Sequence, residues 1–110
     1  MIDDQVGDVL TALADPTRRS LLDALAVAGQ ASATVLAAGL PVSRQAVVKH
    51  LQVLEAAGLV TGARSGREVR YVVRPGPLDA TADWLAARSA AWDRRLRSLK
   101  RAAEAPPAAP

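Results

Sequence analysis

The stretch SRQAVVKHLQVLEAAG, residues 43–58, decides the fold of this chain. Ser43 is a residue type that caps helix N-termini and Gly58 is one that ends helices, so the stretch predicts a single helix between them. At about 100° per residue, its side chains separate into two arcs. The inward arc is mostly apolar and holds Val53, Ala46, Ala57, His50, Leu54, Val47 and Leu51. The outward arc is mostly polar and holds Arg44, Gln45, Val48, Lys49 and Gln52.

A second, shorter helix is predicted just before this one. Ser32 can cap a helix over Ala33–Ala38, which stops at Gly39, and Leu40-Pro41-Val42 forms a turn. A short helix, a tight turn and a longer helix make the helix-turn-helix arrangement, whose second helix enters the major groove of DNA.

The outward arc of residues 43–58 has the chemistry needed to read base edges. Arg and Lys can donate to guanine, Gln can pair with adenine, and Val48 can contact a thymine methyl group. The N-terminal half of such a helix makes most base contacts, which favours Arg44, Gln45, Val48 and Lys49. The alternative is an ordinary solvated helix face, but water gives no reason to place Val48 among the charged residues.

A basic β-hairpin is predicted after Gly58. The runs 59–61 and 69–74 are β-prone and are separated by residues 62–68, which we expect to form a long basic tip. Arg64 and Arg67 in this tip can reach phosphates or a minor groove. Val69, Tyr71 and Val73 alternate with Arg70 and Arg74, which predicts one packed side and one basic side. The predicted DNA-binding residues are therefore Ser43, Arg44, Gln45, Val48, Lys49, Gln52, Arg64, Arg67 and Arg70.

Helices are predicted at both ends of the chain. Residues 5–14 show a helical apolar period, and Asp15-Pro16 starts a helix to about Val27, with Asp15 as its cap and Gly29 after it. Pro75-Gly76-Pro77 breaks the second strand, and a last helix covers about 78–103. The expected fold is mainly α with a small β-hairpin, in the order α-α-α-α-β-β-α. Residues 1–104 form one winged helix-turn-helix domain and residues 105–110 a disordered Ala/Pro tail.

The last predicted helix has an apolar seam whose members alternate four and three residues apart, a pattern typical of helix-to-helix contact between chains. The seam consists of Leu78, Ala82, Leu85, Ser89, Trp92, Leu96 and Leu99. It could pack against its own domain, but a helix of about 39 Å is longer than so small a domain can cover. We therefore expect a partner chain to cover the seam. Trp84 lies off it.

Composition excludes several kinds of site. With no cysteine and one histidine among 110 residues, the chain has no disulfide, thiolate site or multi-histidine metal site of its own. No nucleophile–base pair, paired carboxylates or phosphate-binding glycine loop is recognisable, so no enzyme and no cofactor are expected. His50 could be a metal ligand or a proton switch. We favour a half-buried structural histidine bonded to backbone or phosphate.

Charge is unevenly placed along the chain. The formal net charge is +3, but residues 1–30 carry five Asp against two Arg, whereas residues 44–74 carry six cationic residues against two Glu. The basic middle of the chain indicates a face for a polyanion. The acidic start MIDDQVGD predicts no signal peptide, and no apolar run approaches the roughly 20 residues that span a bilayer. We expect a cytoplasmic protein without a membrane partner.

Several motifs together resemble the ArsR/SmtB family of winged-helix repressors. They are Leu13–Arg19, Ser43–Leu51, Leu54–Val60 and Gly66–Glu68 with Tyr71. The resemblance implies a homodimer through the first and last helices, which adds Val6 and Leu10 to the predicted interface. It also implies repression at an operator with twofold symmetry, often at the regulator's own promoter.

Many members of this family sense metals, but this chain departs from that pattern. Residues 31–40 offer no metal ligand except hydroxyls, and the last helix has no His. We therefore expect a repressor that binds no metal, with an unknown effector. Two alternatives stay open. One is a repressor that responds to an apolar small molecule beside Trp84 or Trp92, and the other is a winged-helix module that binds another protein through its long helix.

Overall fold

The structure is a computed structural model that describes residues 3–106. This part of the chain contains five helices and three short strands. The helices are α1 (Asp3–Leu13), α2 (Pro16–Ala28), α3 (Ala33–Ala38), α4 (Arg44–Ala56) and α5 (Pro75–Glu104), and the strands are β1 (Ala31–Ser32), β2 (Val60–Ser65) and β3 (Glu68–Val73). The predicted class, mainly α with a small β-hairpin, is confirmed. Of the predicted tail, residues 107–110 lie outside the described residues.

The two caps predicted for the helix-turn-helix unit are present. The Ser32 hydroxyl accepts the backbone N–H of Val35 at 3.2 Å, and the Ser43 hydroxyl accepts that of Ala46 at 3.1 Å. Each bond satisfies an N–H that has no partner within its helix. Asp15 is different, since it stands at the N-cap of α2 but its side chain makes no capping hydrogen bond. The prediction of a carboxylate cap at Asp15 was therefore wrong.

The sheet has a third strand that the predicted order lacked. β1 pairs antiparallel with β3, so the strand order is β1-β3-β2. Ala31 and Ser32 are both buried in this pairing. A strand of two residues is too short to show a period of two in the sequence, which explains why it was missed.

The hairpin is tighter than predicted. β2 and β3 stay paired up to Ser65 and Glu68, so the turn consists of Gly66 and Arg67 alone. Gly66 has a φ of 64°, and only the first central residue has a positive φ, as in the type II′ turn that matches strand twist. The expected long tip over 62–68 was wrong because strand pairing overrides the low β-propensity of Gly62 and Ala63.

The last helix begins earlier than predicted. Pro75-Gly76-Pro77 does not precede α5 but forms its first turn. The first N–H groups of a helix have no intrahelical acceptor, so proline removes no hydrogen bond there.

Side chains from α1, α2, α3 and α4, from the three strands and from Leu59 fill one hydrophobic core. The largest fully buried side chains are Leu21, Leu25, Leu51, Leu54, Leu59, Val9, Val47 and Val60. Thr81 of α5 is buried and Leu78 is partly buried against the core, where α5 packs on α1. From Leu85 onward every described residue of α5 is exposed. A helix of 30 residues is about 45 Å long, so its second half extends past the domain.

Arginines at the start of α2 join it to the end of α1. Arg18 donates from Nε to the carbonyl of Ala12 at 2.7 Å and from Nη2 to that of Thr11 at 3.2 Å, and Arg19 Nη1 donates to the Leu13 carbonyl at 2.7 Å. The last carbonyls of a helix lack intrahelical donors. Both arginines therefore act as a C-terminal cap of α1.

Arg18 also joins α2 to α4. Its Nη1 lies 3.3 Å from Nδ1 of His50, which is half-buried. A guanidinium only donates, so this contact is a hydrogen bond when Nδ1 carries no proton. The Asp15 carboxylate lies beside both groups, 3.8 Å from His50 Nδ1 and 4.0 Å from Arg18 Nη1. The structural role expected for His50 is what the geometry supports, although its partner is a side chain instead of backbone.

Replacing Gly62 with Ala should destabilise the hairpin. A Cβ at this position would lie 2.9 Å from Val69 Cγ1 and 3.0 Å from Tyr71 Cε1. Because Tyr71 is part of the core, we expect the free energy of unfolding to fall by about 1–3 kcal/mol. Urea denaturation of Gly62→Ala measures this change. Gly76→Ala is the control because nothing lies within 4 Å of its Cβ. Equal stability of the two variants would show that the close packing at Gly62 is unimportant.

Replacing Arg18 with Met should weaken the contacts that hold α1, α2 and α4 together. The change keeps much of the apolar stem but leaves the Ala12 carbonyl and His50 without their donor, while the Thr11 carbonyl keeps only the N–H of Ala14. We therefore expect the free energy of unfolding to fall by about 1–3 kcal/mol in thermal or urea denaturation. Arg19→Met is the matched control, since exposed Arg19 makes one such bond. A loss at Arg19→Met as large as that at Arg18→Met would contradict a special role for Arg18.

Candidate nucleic-acid interface

The polar face of α4 points away from the domain. Arg44, Gln45, Lys49 and Gln52 are exposed, and Ser43 is exposed at the start of the helix. The opposite face is anchored in the core by the buried side chains of Val47, Leu51 and Leu54. The division predicted from the helical arcs is confirmed for these residues.

Two valines of α4 depart from that division. Val48, predicted to point outward, is half-buried and packs against the edge of the core. Val53, assigned to the inward arc, is 40% exposed and lines a shallow groove with Asp8 and Thr11 of α1. Val53 lies at the margin between the two arcs, whereas Val48 lies within the outward arc and is half-buried because neighbouring elements pack against it, which a helical plot does not show.

Arg44 is held by a residue that sequence reasoning missed. Its Nε donates to the hydroxyl of Thr34 at 3.1 Å, across the turn between α3 and α4. Thr34 is exposed and is the second residue of α3. No local pattern links residues ten positions apart on two helices.

A cleft of about 430 Å³ separates the start of α4 from the hairpin. Val48 and Tyr71 form part of its apolar floor. Its charged lining residues are Arg44, Arg64, Arg67 and Glu68. The cleft therefore brings together three of the predicted DNA-binding arginines around one carboxylate.

Strand register explains which hairpin arginines face the cleft. Arg64 is paired with Val69 and Gly62 with Tyr71, and paired residues share one face of a sheet. Arg70 alternates with Val69 and Tyr71 and so lies on the other face. Its Nε is 3.7 Å from Glu68 Oε2, and it borders a separate groove beside β1. The structure therefore does not bring Arg70 together with the other predicted DNA-binding residues.

The predicted dimer seam is exposed along the second half of α5. Trp92, Leu96 and Leu99 are 61%, 57% and 62% exposed, and Leu85 is exposed as well. Ala82, before Leu85, and Ser89, between Leu85 and Trp92, are exposed small residues, and Leu10 is exposed on α1.

Two residues of the predicted dimer interface face their own domain. Val6 is buried within its own chain, and Leu78 packs partly on the core. The prediction that Val6 and Leu78 face a partner chain therefore has no support from their surroundings.

Trp84 packs beside the seam instead of on it. The Arg88 guanidinium lies 3.8 Å from the centroid of the Trp84 ring, a cation–π geometry, and donates to the Trp84 carbonyl at 3.1 Å. The Arg88 guanidinium thus covers one face of the half-buried ring.

The described residues contain neither a cluster of metal ligands nor a membrane-spanning helix. Between residues 3 and 106, no three or more His, Cys, Asp or Glu side chains come close enough together to hold a metal ion. In the same part of the chain, no helix combines the length and apolar character needed to cross a membrane.

Comparison with known proteins gives matches over the region described above. Residues 13–63 match a helix-turn-helix domain family. The HTH-type transcriptional repressor SmtB of Mycobacterium tuberculosis is 44% identical over 68 residues, which cover 62% of this chain and 50% of that repressor. The chain thus spans about half the length of this relative.

Solved structures extend the likeness to nearly the whole chain. An ArsR-like transcriptional regulator from Rhodococcus sp. RHA1 superimposes with a TM-score of 0.80 at 44% identity, covering 94% of this chain and 96% of that one. The homodimeric winged helix-turn-helix DNA-binding domain of a possible ArsR-family regulator from Mycobacterium bovis gives 0.64 at 29% identity, with coverages of 88% and 86%. By sequence motifs, fold and these relatives, the chain belongs to the ArsR/SmtB family of winged helix-turn-helix transcriptional regulators.

Proposed function

We propose that this protein is a sequence-specific DNA-binding repressor, which acts as a homodimer on an operator with twofold symmetry, including that of its own promoter. The proposal rests on one observation: the exposed polar face of α4 lies beside the basic face of the hairpin. An α-helix fits the major groove of B-DNA, and cationic side chains beside it can contact the phosphates. As a regulator of this kind it has no catalytic role and acts in the cytoplasm, where bacterial DNA lies.

The proposed contact surface follows the order of residues along α4. Gln45 and Lys49 on the exposed face can reach base edges, with half-buried Val48 between them as an apolar contact. Ser43 and Gln52 lie at the two ends of this face, and the hairpin adds cationic contacts to the backbone. The full proposed set is Ser43, Arg44, Gln45, Val48, Lys49, Gln52, Arg64, Arg67 and Arg70, in which Arg70 is the most peripheral member.

The homodimer is proposed from the exposed half of α5. Burying an apolar side chain of this size stabilises by about 1.5–3 kcal/mol, so three of them left in water provide a strong reason for association. Trp92, Leu96 and Leu99 recur at heptad spacing, which suits an identical helix. The similar Mycobacterium bovis domain is itself homodimeric. The proposed interface comprises Leu10, Ala82, Leu85, Ser89, Trp92, Leu96 and Leu99, with Val6 and Leu78 packed behind it in their own domain.

Gln45→Ala should reduce sequence discrimination without altering the fold. Duplexes selected from a random pool should bind the wild type with a Kd of roughly 10⁻⁸ M or tighter. Because the amide of Gln45 is proposed to read one base, its loss should weaken binding by about 1–3 kcal/mol and relax one position per half-site. Fluorescence anisotropy and repeated selection measure both effects.

The matched control for this experiment is Gln30→Ala, which removes the same exposed amide from the loop before β1. It should bind like the wild type. If Gln45→Ala keeps both the affinity and the selected motif of the wild type, α4 does not read the duplex as proposed.

Leu96→Glu should convert the protein to a monomer. A carboxylate in an apolar seam would lose hydration when a partner helix covers it, and this desolvation opposes association. Sedimentation equilibrium at micromolar concentration measures the mass. Val27→Glu is the control, since Val27 is 91% exposed on α2 and lies off the seam. A dimer that survives Leu96→Glu, or a wild type that is monomeric, would refute the proposed interface.

A further inference from the structure

We propose that the cleft between α4 and the hairpin holds a phosphate of the DNA backbone, and that Arg44 is a ligand of this phosphate instead of a reader of bases. The inference rests on the proposed function and deepens it. Arg44 would then bind the backbone, whereas Gln45 and Lys49 on the same exposed arc of α4 would contact bases.

The Arg44 guanidinium is directed toward the cleft by a hydrogen bond. Its Nε is bonded to the Thr34 hydroxyl at 3.1 Å, which directs the side chain toward α3 and the cleft. A guanidinium has five N–H donors in one plane, so fixing Nε leaves both terminal nitrogens to donate in a defined orientation. Two donors side by side match the two free oxygens of a phosphodiester.

The lining of the cleft carries an excess of positive charge. Arg64 and Arg67 line the same space as Arg44, from the hairpin side. Three cations against the single carboxylate of Glu68 leave an excess of two positive charges. Glu68 is itself 3.7 Å from Arg70, which offsets part of its repulsion toward an anion. Like charges that line one cleft repel each other, and an anion between them removes that repulsion.

Different residues of α4 are suited to phosphate contacts and to base contacts. Phosphate contacts fix the register of a protein on a duplex but carry no sequence information, whereas base contacts specify. Gln45 and Lys49 are exposed, and neither lines the cleft. They are thus free to meet base edges while Arg44 fixes the start of α4 against the backbone. Thr34 is then a positioning residue that acts through Arg44.

The test uses three variants of the full chain, all at exposed positions: Arg44→Ala, Thr34→Val and the control Gln30→Ala. Each is measured by fluorescence anisotropy on a selected duplex and on a scrambled duplex, over a range of salt concentrations. We expect Arg44→Ala to weaken binding to both duplexes by a similar factor, roughly tenfold. The slope of log K against log salt concentration should become less steep by about one. Thr34→Val keeps the charge, so it should weaken binding a few-fold and leave the slope unchanged.

A second measurement identifies the phosphate directly. Neutral methylphosphonates replace single phosphates of the selected duplex, one position at a time. One position per half-site should weaken binding by Arg44→Ala less than it weakens binding by the wild type, because Arg44→Ala has already lost part of the contact with that phosphate and keeps only Arg64 and Arg67 in the cleft. Repeated selection with Arg44→Ala should return the wild-type motif.

The outcomes separate this inference from the function on which it rests. A changed base preference in Arg44→Ala, or methylphosphonate effects that add to Arg44→Ala at every position, would overturn the phosphate assignment while leaving a DNA-binding repressor. A wild type that binds no duplex from the pool would overturn both. Thermal melting of each variant confirms that the fold is intact.

Discussion

The rest of the structure depends on the burial of one face of α4. Val47, Leu51 and Leu54 are almost completely removed from water, and each helps to fix the rotation of the helix about its own axis. Once that rotation is fixed, the polar residues have only one direction available, away from the core. The exposure of the proposed DNA surface is therefore a direct consequence of hydrophobic packing on the opposite face of the helix.

Rotation alone does not place α4 relative to its neighbours, and Arg18 provides a further contact that does so. Arg18 donates to carbonyls at the end of α1 and contacts His50 on α4, so it joins α1 and the start of α2 to α4. Within the hairpin, Gly62 leaves room for the ring of Tyr71 against β2, and Tyr71 lines the cleft beside α4.

Local chemistry predicted well those features that depend on residues close together in sequence. The caps at Ser32 and Ser43 and the bounds of α3 follow from side chains within three or four positions of each other. The features that were missed depend on distant residues. Strand β1 exists only because β3 pairs with it, and the hairpin extends to Gly66 because cross-strand bonds outweigh propensity. The bond between Thr34 and Arg44 requires the angle between two helices, which no spacing rule contains.

Two exposed surfaces of the described residues differ in chemistry, and each suits a different partner. The exposed half of α5 is apolar at heptad spacing, which an identical helix can cover, whereas the side with α4 and the hairpin is cationic and suits a polyanion. Helix α1 packs on α5 and is bonded at its end to Arg18, which reaches α4. A short path of direct contacts therefore connects the two surfaces. Because helix packing and hydrogen bonds resist small displacements, the spacing of two paired α4 helices would follow from how two α5 helices meet.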